Sequence, residues 1–152
     1  MLSDTNQTDQ FPIACVPQAL TAGQRARWLE LGAKLYPAVQ EVRELPDGYG
    51  LRLPNDAETL MLAAEDLSLE RLCCPFFRLT LEIEPNEGPL WFGLTGREGV
   101  KEFLRLSFES ASLIPEYVAR AAGFNIANRA DIDSEASSLE VVELINDRFR
   151  AL

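Results

Sequence analysis

The sequence predicts an α+β fold: a two-layer sandwich in which helices cover a four-stranded antiparallel sheet, with a C-terminal helical extension. Two observations support this fold class. Four short segments alternate apolar and polar residues, and they form two pairs, each around a turn that contains glycine and proline. Segments with the helical spacing of apolar residues precede, separate and follow these pairs. The predicted order is therefore helix, hairpin, helix, hairpin, helix.

Local signals mark the first helix and the first hairpin. Thr21 followed by Gln24 is a capping box, which opens a helix with an apolar stripe. Residues 41–45 and 49–53 read as two strands around the turn at 46–48. Glycine supplies the positive φ angle at this turn, and proline and aspartate suit its other positions. These signals predict an antiparallel pair.

The second predicted helix runs from about Asp56 to Cys73. Asn55 with Glu58 provides its start. Pro75 sets its end, because proline disfavours helical backbone at the residue before it. The helical spacing assigns these residues to its buried face: Leu60, Ala64, Leu67, Leu72 and the stem of Arg71.

The second hairpin contains the clearest strand of the chain. Residues 77–84 alternate strictly, residues 85–89 form a turn with two prolines and a glycine, and residues 90–94 alternate again. Thr95 with Glu98 is a further capping box. It predicts a third helix directly after this hairpin.

Three regions are expected along the chain. Residues 1–20 form a flexible N-terminal arm, residues 21–110 form the α+β domain, and residues 111–152 form the C-terminal helical extension. The extension ends in a helix over residues 137–150 whose apolar side chains need cover from the sheet or from a partner subunit. We therefore expect a homodimer.

The composition narrows the classes of partner and location. The chain has a net charge of −10 and a pI near 4.5, so nucleic acids and anionic membranes repel it, and no direct contact with either is expected. No apolar run approaches the ~20 residues that a membrane helix needs. The first residues lack a signal-peptide pattern, so we expect a cytoplasmic location with reduced thiols. The absence of histidine disfavours an enzyme, since the commonest general base is missing.

The reactive residue types are concentrated at the end of the second helix. At about 100° per residue, Asp66, Glu70, Cys73 and Cys74 share one helical face. Two thiolates and a carboxylate can supply three of the four ligands that zinc or another soft metal prefers. Cys15 is a candidate for the fourth ligand, or a partner subunit completes the site.

A structural interpretation of the same residues stands beside the metal site. Cysteine is among the residues most often found fully buried. A helix C-terminus and nearby carboxylates both raise the pKa of a thiol, so Cys73 and Cys74 are not expected to react unaided. Asp66 and Glu70, one helical turn apart, are typical of a solvated helix face rather than of a catalytic pair.

About residues 21–108 carry a resemblance to a known family. The segments that carry it are Leu45–Tyr49, Glu70–Phe77, Leu79–Glu84, Gly88–Pro89, Leu94–Gly96 and Glu102–Leu104. In these segments the chain resembles small uncharacterised bacterial proteins with an E-R-x-C-C-P-F motif, which are similar to modules attached to regulators of the mercury-resistance type. The resemblance implies a bacterial cytoplasmic domain and an association with metals, and it implies no activity.

These observations predict a non-enzymatic binding or sensing module. Its expected ligand is a soft metal ion, a metalloid or another small molecule held at the adjacent cysteines. The alternative is a structural or interaction protein that forms a homodimer and keeps its cysteines buried and inert.

Overall fold

The computed structural model describes residues 12–126 of the 152 in the chain. The helices and strands within that range are α1 (Ala22–Leu35), β1 (Glu41–Leu45), β2 (Gly48–Leu53), α2 (Ala57–Cys73), β3 (Arg78–Ile83), β4 (Leu90–Thr95), α3 (Val100–Ser110) and α4 (Glu116–Ala121). Helices combined with an antiparallel sheet make this an α+β fold, as predicted. None of the helices in the described range is long and apolar enough to span a membrane.

The strands form one four-stranded antiparallel sheet in the order β1-β2-β4-β3. β2 and β4 lie at its centre and pair Tyr49 with Leu94 and Leu51 with Phe92. All four side chains are buried, because alternate residues of paired strands point to the same face. The predicted sheet is confirmed, and its strand bounds lie within one residue of the predicted ones.

Two local signals that set helix ends are confirmed. At the start of α1, Thr21 Oγ1 accepts a hydrogen bond from the backbone N–H of Gln24 (3.2 Å), and Gln24 Oε1 accepts one from the N–H of Thr21 (3.0 Å). At the end of α2, Cys73 is the last helical residue. Cys74 leaves the helix with φ −126° and ψ 65°, as the following Pro75 requires.

The start of α2 differs from the prediction that paired Asn55 with Glu58. The N-cap is Asp56, whose Oδ1 accepts a hydrogen bond from the N–H of Thr59 (2.8 Å). The prediction was wrong because Asn55 lies one residue too early to reach the free N–H groups of the first turn. Its Nδ2 instead donates to the carbonyl oxygen of Gly88 (2.7 Å), in the turn between β3 and β4.

The buried face of α2 was also predicted wrongly. Leu72 is 37% exposed and Ala64 is exposed, while Leu60 and Leu67 are only partly buried. Apolar residues occur all round this helix, so their spacing does not single out one face. The residues of α2 that the structure buries are Ala63, Asp66, Leu69, Glu70 and Cys73.

The start of α3 departs from the predicted capping box of Thr95 with Glu98. Thr95 is the last residue of β4, and its Oγ1 donates to the carbonyl oxygen of Arg78 on β3 (3.4 Å). Its side chain is therefore used within the sheet and is not free to cap a helix. The N-cap is Gly99, whose φ of +95° lies in the left-handed region that glycine adopts without strain.

The core includes residues on both sides of the predicted 21–110 domain. Leu20, from the predicted arm, and Val118, from the predicted extension, are each at most 3% exposed. The ring of Phe124 lies 5.3 Å from that of Tyr49 and 5.6 Å from that of Phe108, measured between centroids. The described parts of the arm and the extension therefore pack on the domain. The predicted helix over residues 137–150 lies outside the described residues.

Candidate functional site

The N-terminal segment 12–20 lies against the end of α2. The N–H of Val16 donates to the carbonyl oxygen of Cys73 (2.7 Å), which is one of the carbonyls that a helix end leaves free. This contact brings the neighbouring Cys15 to Cys74, with their Cα atoms 4.5 Å apart. The prolines at 12 and 17 bound the part of this segment that contains Cys15, and within it the N–H of Ala14 donates to the carbonyl oxygen of Pro12 (3.0 Å) in a tight turn.

Cys15 and Cys74 form a disulfide across a sequence separation of 59 residues. This corrects the expectation that all three cysteines are free thiols. Cys73 keeps its thiol and is fully buried; its sulfur lies 3.6 Å from the sulfur of Cys74. The adjacent pair is not bridged to itself, in keeping with the close spacing of neighbouring Cα atoms.

Glu70 lies beside the disulfide and is 5% exposed. Its Oε2 accepts a hydrogen bond from Nε1 of Trp28 on α1 (2.6 Å). A Glu70 carboxylate oxygen, Cys15 Sγ and Cys74 Sγ all lie within 4.8 Å of one another. Within residues 12–126, no other three cysteine, histidine or acidic side chains meet at that distance.

Asp66 lies one helical turn before Glu70 and is 1% exposed. Neither of its carboxylate oxygens has a hydrogen-bond partner among the residues that the structure describes. Burial, and then the charge of Glu70, raise the pKa of Asp66 well above its usual range. The sequence placed both carboxylates on a solvated face. They are buried because α1 packs against this side of α2.

The ionisable groups of the site are buried together, and burial favours their protonated forms. Burial raises the pKa of Glu70 to about 7, although the hydrogen bond from Trp28 opposes this shift. Burial, followed by the charges of Glu70 and Asp66, raises the pKa values of the Tyr36 hydroxyl and the Cys73 thiol. Every neighbouring charge that shifts these groups is negative.

Of the five predicted ligands, the structure groups three. Glu70 and Cys74 lie together, and Cys15, the candidate for a fourth ligand, completes the set. Cys73 and Asp66 also lie on α2 and are buried, but they are outside the group. Trp28 belongs to the apolar stripe of α1, and the sequence did not predict that it would donate to Glu70. Its position in that stripe gave no sign of a polar partner 42 residues away.

A second cleft, of about 580 Å³, lies between the β1–β2 turn and the start of α3. Two of its cationic side chains, Lys101 and Arg105, are paired with carboxylates. Lys101 Nζ lies 2.6 Å from Glu44 Oε1, and Arg105 NH1 lies 2.8 Å from both carboxylate oxygens of Glu109. These two cations are therefore already occupied by carboxylates of the protein.

No protein-family model, curated protein or solved structure matches this chain. The similarity to bacterial proteins with the E-R-x-C-C-P-F motif stays a prediction. The chemistry of the buried group therefore carries the functional conclusion.

Substitution of Trp28 by Phe tests the hydrogen bond inside this group. We expect the free energy of unfolding to fall by about 1–3 kcal/mol at pH 8, because a buried carboxylate loses its donor. The loss will be smaller at pH 5, below the Glu70 pKa of about 7, where the neutral carboxyl needs the donor less. Urea unfolding at both pH values measures the difference.

Trp91 provides the matched control for this substitution. It is also buried, but its Nε1 has no hydrogen-bond partner among the described residues. Trp91→Phe should therefore change stability equally at pH 5 and pH 8. An equal pH response of the two variants would contradict a specific role of the Trp28 indole N–H.

Proposed function

We propose that this protein is a non-enzymatic binding or sensing module that holds a soft metal ion or metalloid through Cys15, Cys74 and Glu70. The observation that supports the proposal best is the meeting of two sulfurs and a carboxylate oxygen within 4.8 Å in a buried location. These are three of the four ligands of a tetrahedral zinc site. Thiolate sulfur favours zinc and softer metals over magnesium or calcium.

The proposal requires the dithiol form of the protein. In the disulfide each sulfur is bonded to the other, so neither is available as a thiolate ligand. An external dithiol that transfers two electrons and two protons breaks the S–S bond and leaves two thiols, and it is itself oxidised to a disulfide. A divalent metal then displaces the two thiol protons, because metal coordination deprotonates a thiol outright.

The N-terminal segment 12–20 provides the route of entry in this proposal. Cys74 is fully buried and Cys15 is 9% exposed, so an ion cannot reach both sulfurs while the segment is in place. After the disulfide is reduced, the backbone N–H of Val16 still donates to the carbonyl oxygen of Cys73 at the end of α2. The buried Leu20 and the hydrogen bonds from Arg25 to the carbonyl oxygens of Pro17 and Leu20 hold the far end of the segment, so the proposed movement is confined to the residues around Cys15.

The arrangement of the helices relative to the sheet is also part of this proposal. Two layers, with helices on one sheet face, are supported by the contact of the Phe108 ring on α3 with Tyr49 on β2, at 6.0 Å between centroids. The other face carries charged side chains, including Arg43, whose guanidinium lies 4.2 Å from the ring centre of Trp91. The proposed homodimer rests on the apolar sequence of residues 137–150.

A structural protein with inert cysteines is the second candidate function. The full burial of Cys73 and Cys74 within the core favours it. In that case the disulfide serves only to join the N-terminal segment to α2, and the reduced protein binds no metal.

Metal titration distinguishes the two functions. The protein is reduced with a phosphine, which is not a thiol ligand, and is then freed of reductant under nitrogen and titrated with Zn²⁺, Cd²⁺ or arsenite. We expect about one equivalent bound per chain, since the described chain contains one such ligand group. We expect no binding by the oxidised protein. Equilibrium dialysis with elemental analysis measures both.

Alanine variants of the three cysteines assign the ligands. Cys15→Ala and Cys74→Ala should each weaken binding at least 100-fold, since each removes one of two thiolates. Cys73→Ala is the matched control and should change affinity only a few-fold, because its sulfur lies outside the group. Absence of binding by the reduced wild-type protein would refute the proposal. Loss in Cys73→Ala but not in Cys15→Ala would restore the ligand set predicted from the sequence.

A further inference from the structure

The solvent-exposed side of α2 carries a stripe of uncharged, mostly apolar residues. At about 100° per residue its five members lie within about 80° of one another around the helix axis. We call them the α2 stripe: Ala57, Met61, Ala64, Ser68 and Leu72. Met61 is 69% exposed and Leu72 is 37% exposed. A helix that is apolar on every side is normally covered on every side, and exposed apolar patches mark interaction surfaces.

The α2 stripe is complementary in size to a reversed copy of itself. Each large residue lies as far from a point between residues 64 and 65 as a small residue does on the other side. In an antiparallel pair of α2 helices with its two-fold axis at that point, Leu72 meets Ala57 of the partner subunit. Met61 likewise meets Ser68 of the partner subunit. A large side chain opposite a small one lets two helices interdigitate closely.

The polar groups beside the stripe favour the same arrangement. Glu58 in the first turn of α2 and Arg71 in its last turn are exposed, and neither forms an ion pair within residues 12–126. An antiparallel copy brings Arg71 to the end of the helix pair that carries Glu58 of the partner subunit, whereas a parallel copy brings like charges together. The hydroxyl of Ser68 donates to the carbonyl oxygen of Glu65 (2.6 Å), so an interface can bury it at little cost.

We infer that the α2 stripe is a homodimer interface, in which α2 packs antiparallel against α2 of a second copy. The inference assigns a surface to the proposed homodimer and does not depend on the metal ligands. Glu70 lies on the buried side of α2, away from the stripe. Failure of the interface and failure of metal binding are therefore separate results.

Sedimentation velocity of the full-length, oxidised protein over a wide concentration range tests the interface. Met61→Glu should raise the dissociation constant of the dimer at least about tenfold, because each subunit would bury an unpaired carboxylate. Tyr117→Glu is the matched control, since Tyr117 is an apolar residue of α4 that is 71% exposed. It should change the constant less than about twofold. Circular dichroism checks that both variants are folded.

Cysteine cross-linking tests the antiparallel register. Residue 64 lies at the two-fold axis, so Ala64→Cys should form a disulfide with its counterpart when the dimer is oxidised. Ala57→Cys is the matched control. In the antiparallel pair, residue 57 lies level with residue 72 of the other helix, about 22 Å along the axis from its own counterpart at about 1.5 Å per residue. It should not cross-link. Non-reducing gel electrophoresis measures both.

Three results would overturn the interface. The first is a wild-type protein that is monomeric at every concentration. The second is a dimer that Met61→Glu leaves unchanged, which would assign the homodimer to another surface, such as residues 137–150. The third is equal cross-linking of the two cysteine variants, which would contradict the antiparallel arrangement. Metal titration of the reduced protein decides the proposed function independently of all three.

Discussion

Reduction of the Cys15–Cys74 disulfide should lower the free energy of unfolding by about 2–4 kcal/mol. The bond joins residues 59 apart in sequence, and a cross-link over such a loop restricts the unfolded chain strongly. It also holds the buried Leu20 and the rest of the N-terminal segment against the core. Urea unfolding of the protein with and without a phosphine reductant, in the presence of a metal chelator, measures the effect.

A double variant without the bond provides the control. Cys15→Ala with Cys74→Ala should be about as stable as the reduced wild-type protein, and reductant should not change it further. Cys73→Ala should keep its sensitivity to reductant, because Cys73 is the free thiol. A wild-type protein whose stability does not respond to reductant, and which shows three reactive thiols after denaturation, would contradict the disulfide.

Substitution of Asp66 by Leu should stabilise the oxidised, metal-free protein by about 1–3 kcal/mol at pH 8. Most core substitutions destabilise a protein, but this one removes a buried carboxylate that has no donor among the described residues. A leucine of similar reach can pack against the apolar residues around it. Urea unfolding in the presence of chelator measures the gain.

The gain should grow with pH. Burial raises the pKa of Asp66 in the folded protein, whereas in the unfolded chain it lies near 3.9. The folded state therefore binds the proton more tightly, and this stabilisation is lost as pH rises through the folded-state pKa. Wild-type stability falls from pH 5 to pH 8, while the variant is less affected. Glu65→Leu, at a partly exposed position, should show no such pH-dependent gain.

Destabilisation by Asp66→Leu at pH 8 would mean that Asp66 has a structural partner. The expected result would instead identify a buried residue that lowers stability and lies one helical turn before Glu70, a member of the ligand group. Natural proteins depart from the rules of core packing mainly at functional sites. A stabilising Asp66→Leu variant would therefore favour a functional role for this carboxylate over a structural one.

Much of the fold could be predicted because its signals are local. Alternation identified all four strands, the capping box of Thr21 placed α1, and Pro75 ended α2 at Cys73. Each of these signals acts on the backbone within a few residues. The shared helical face of Asp66 and Glu70 is local in the same sense, because helix geometry alone sets it.

Other local predictions failed where a side chain had a competing partner. Thr95 bonds within the sheet rather than capping α3, and Asn55 reaches Gly88 rather than the first turn of α2. In both cases the pattern was present in the sequence. The partner that took the side chain lies 17 or more residues away, and short-range spacing carries no information about it.

The sequence by itself therefore determined the α+β class, the strands, the end of α2 and the common face of its carboxylates and cysteines. Only the tertiary structure decided that this face is buried under α1, that Trp28 donates to Glu70, and that Cys15 meets Cys74. The physical reason is the apolar character of α2 on every side, which leaves its buried face to be chosen by packing. That choice buries two apparently solvated carboxylates, of which one, Glu70, belongs to the candidate metal site.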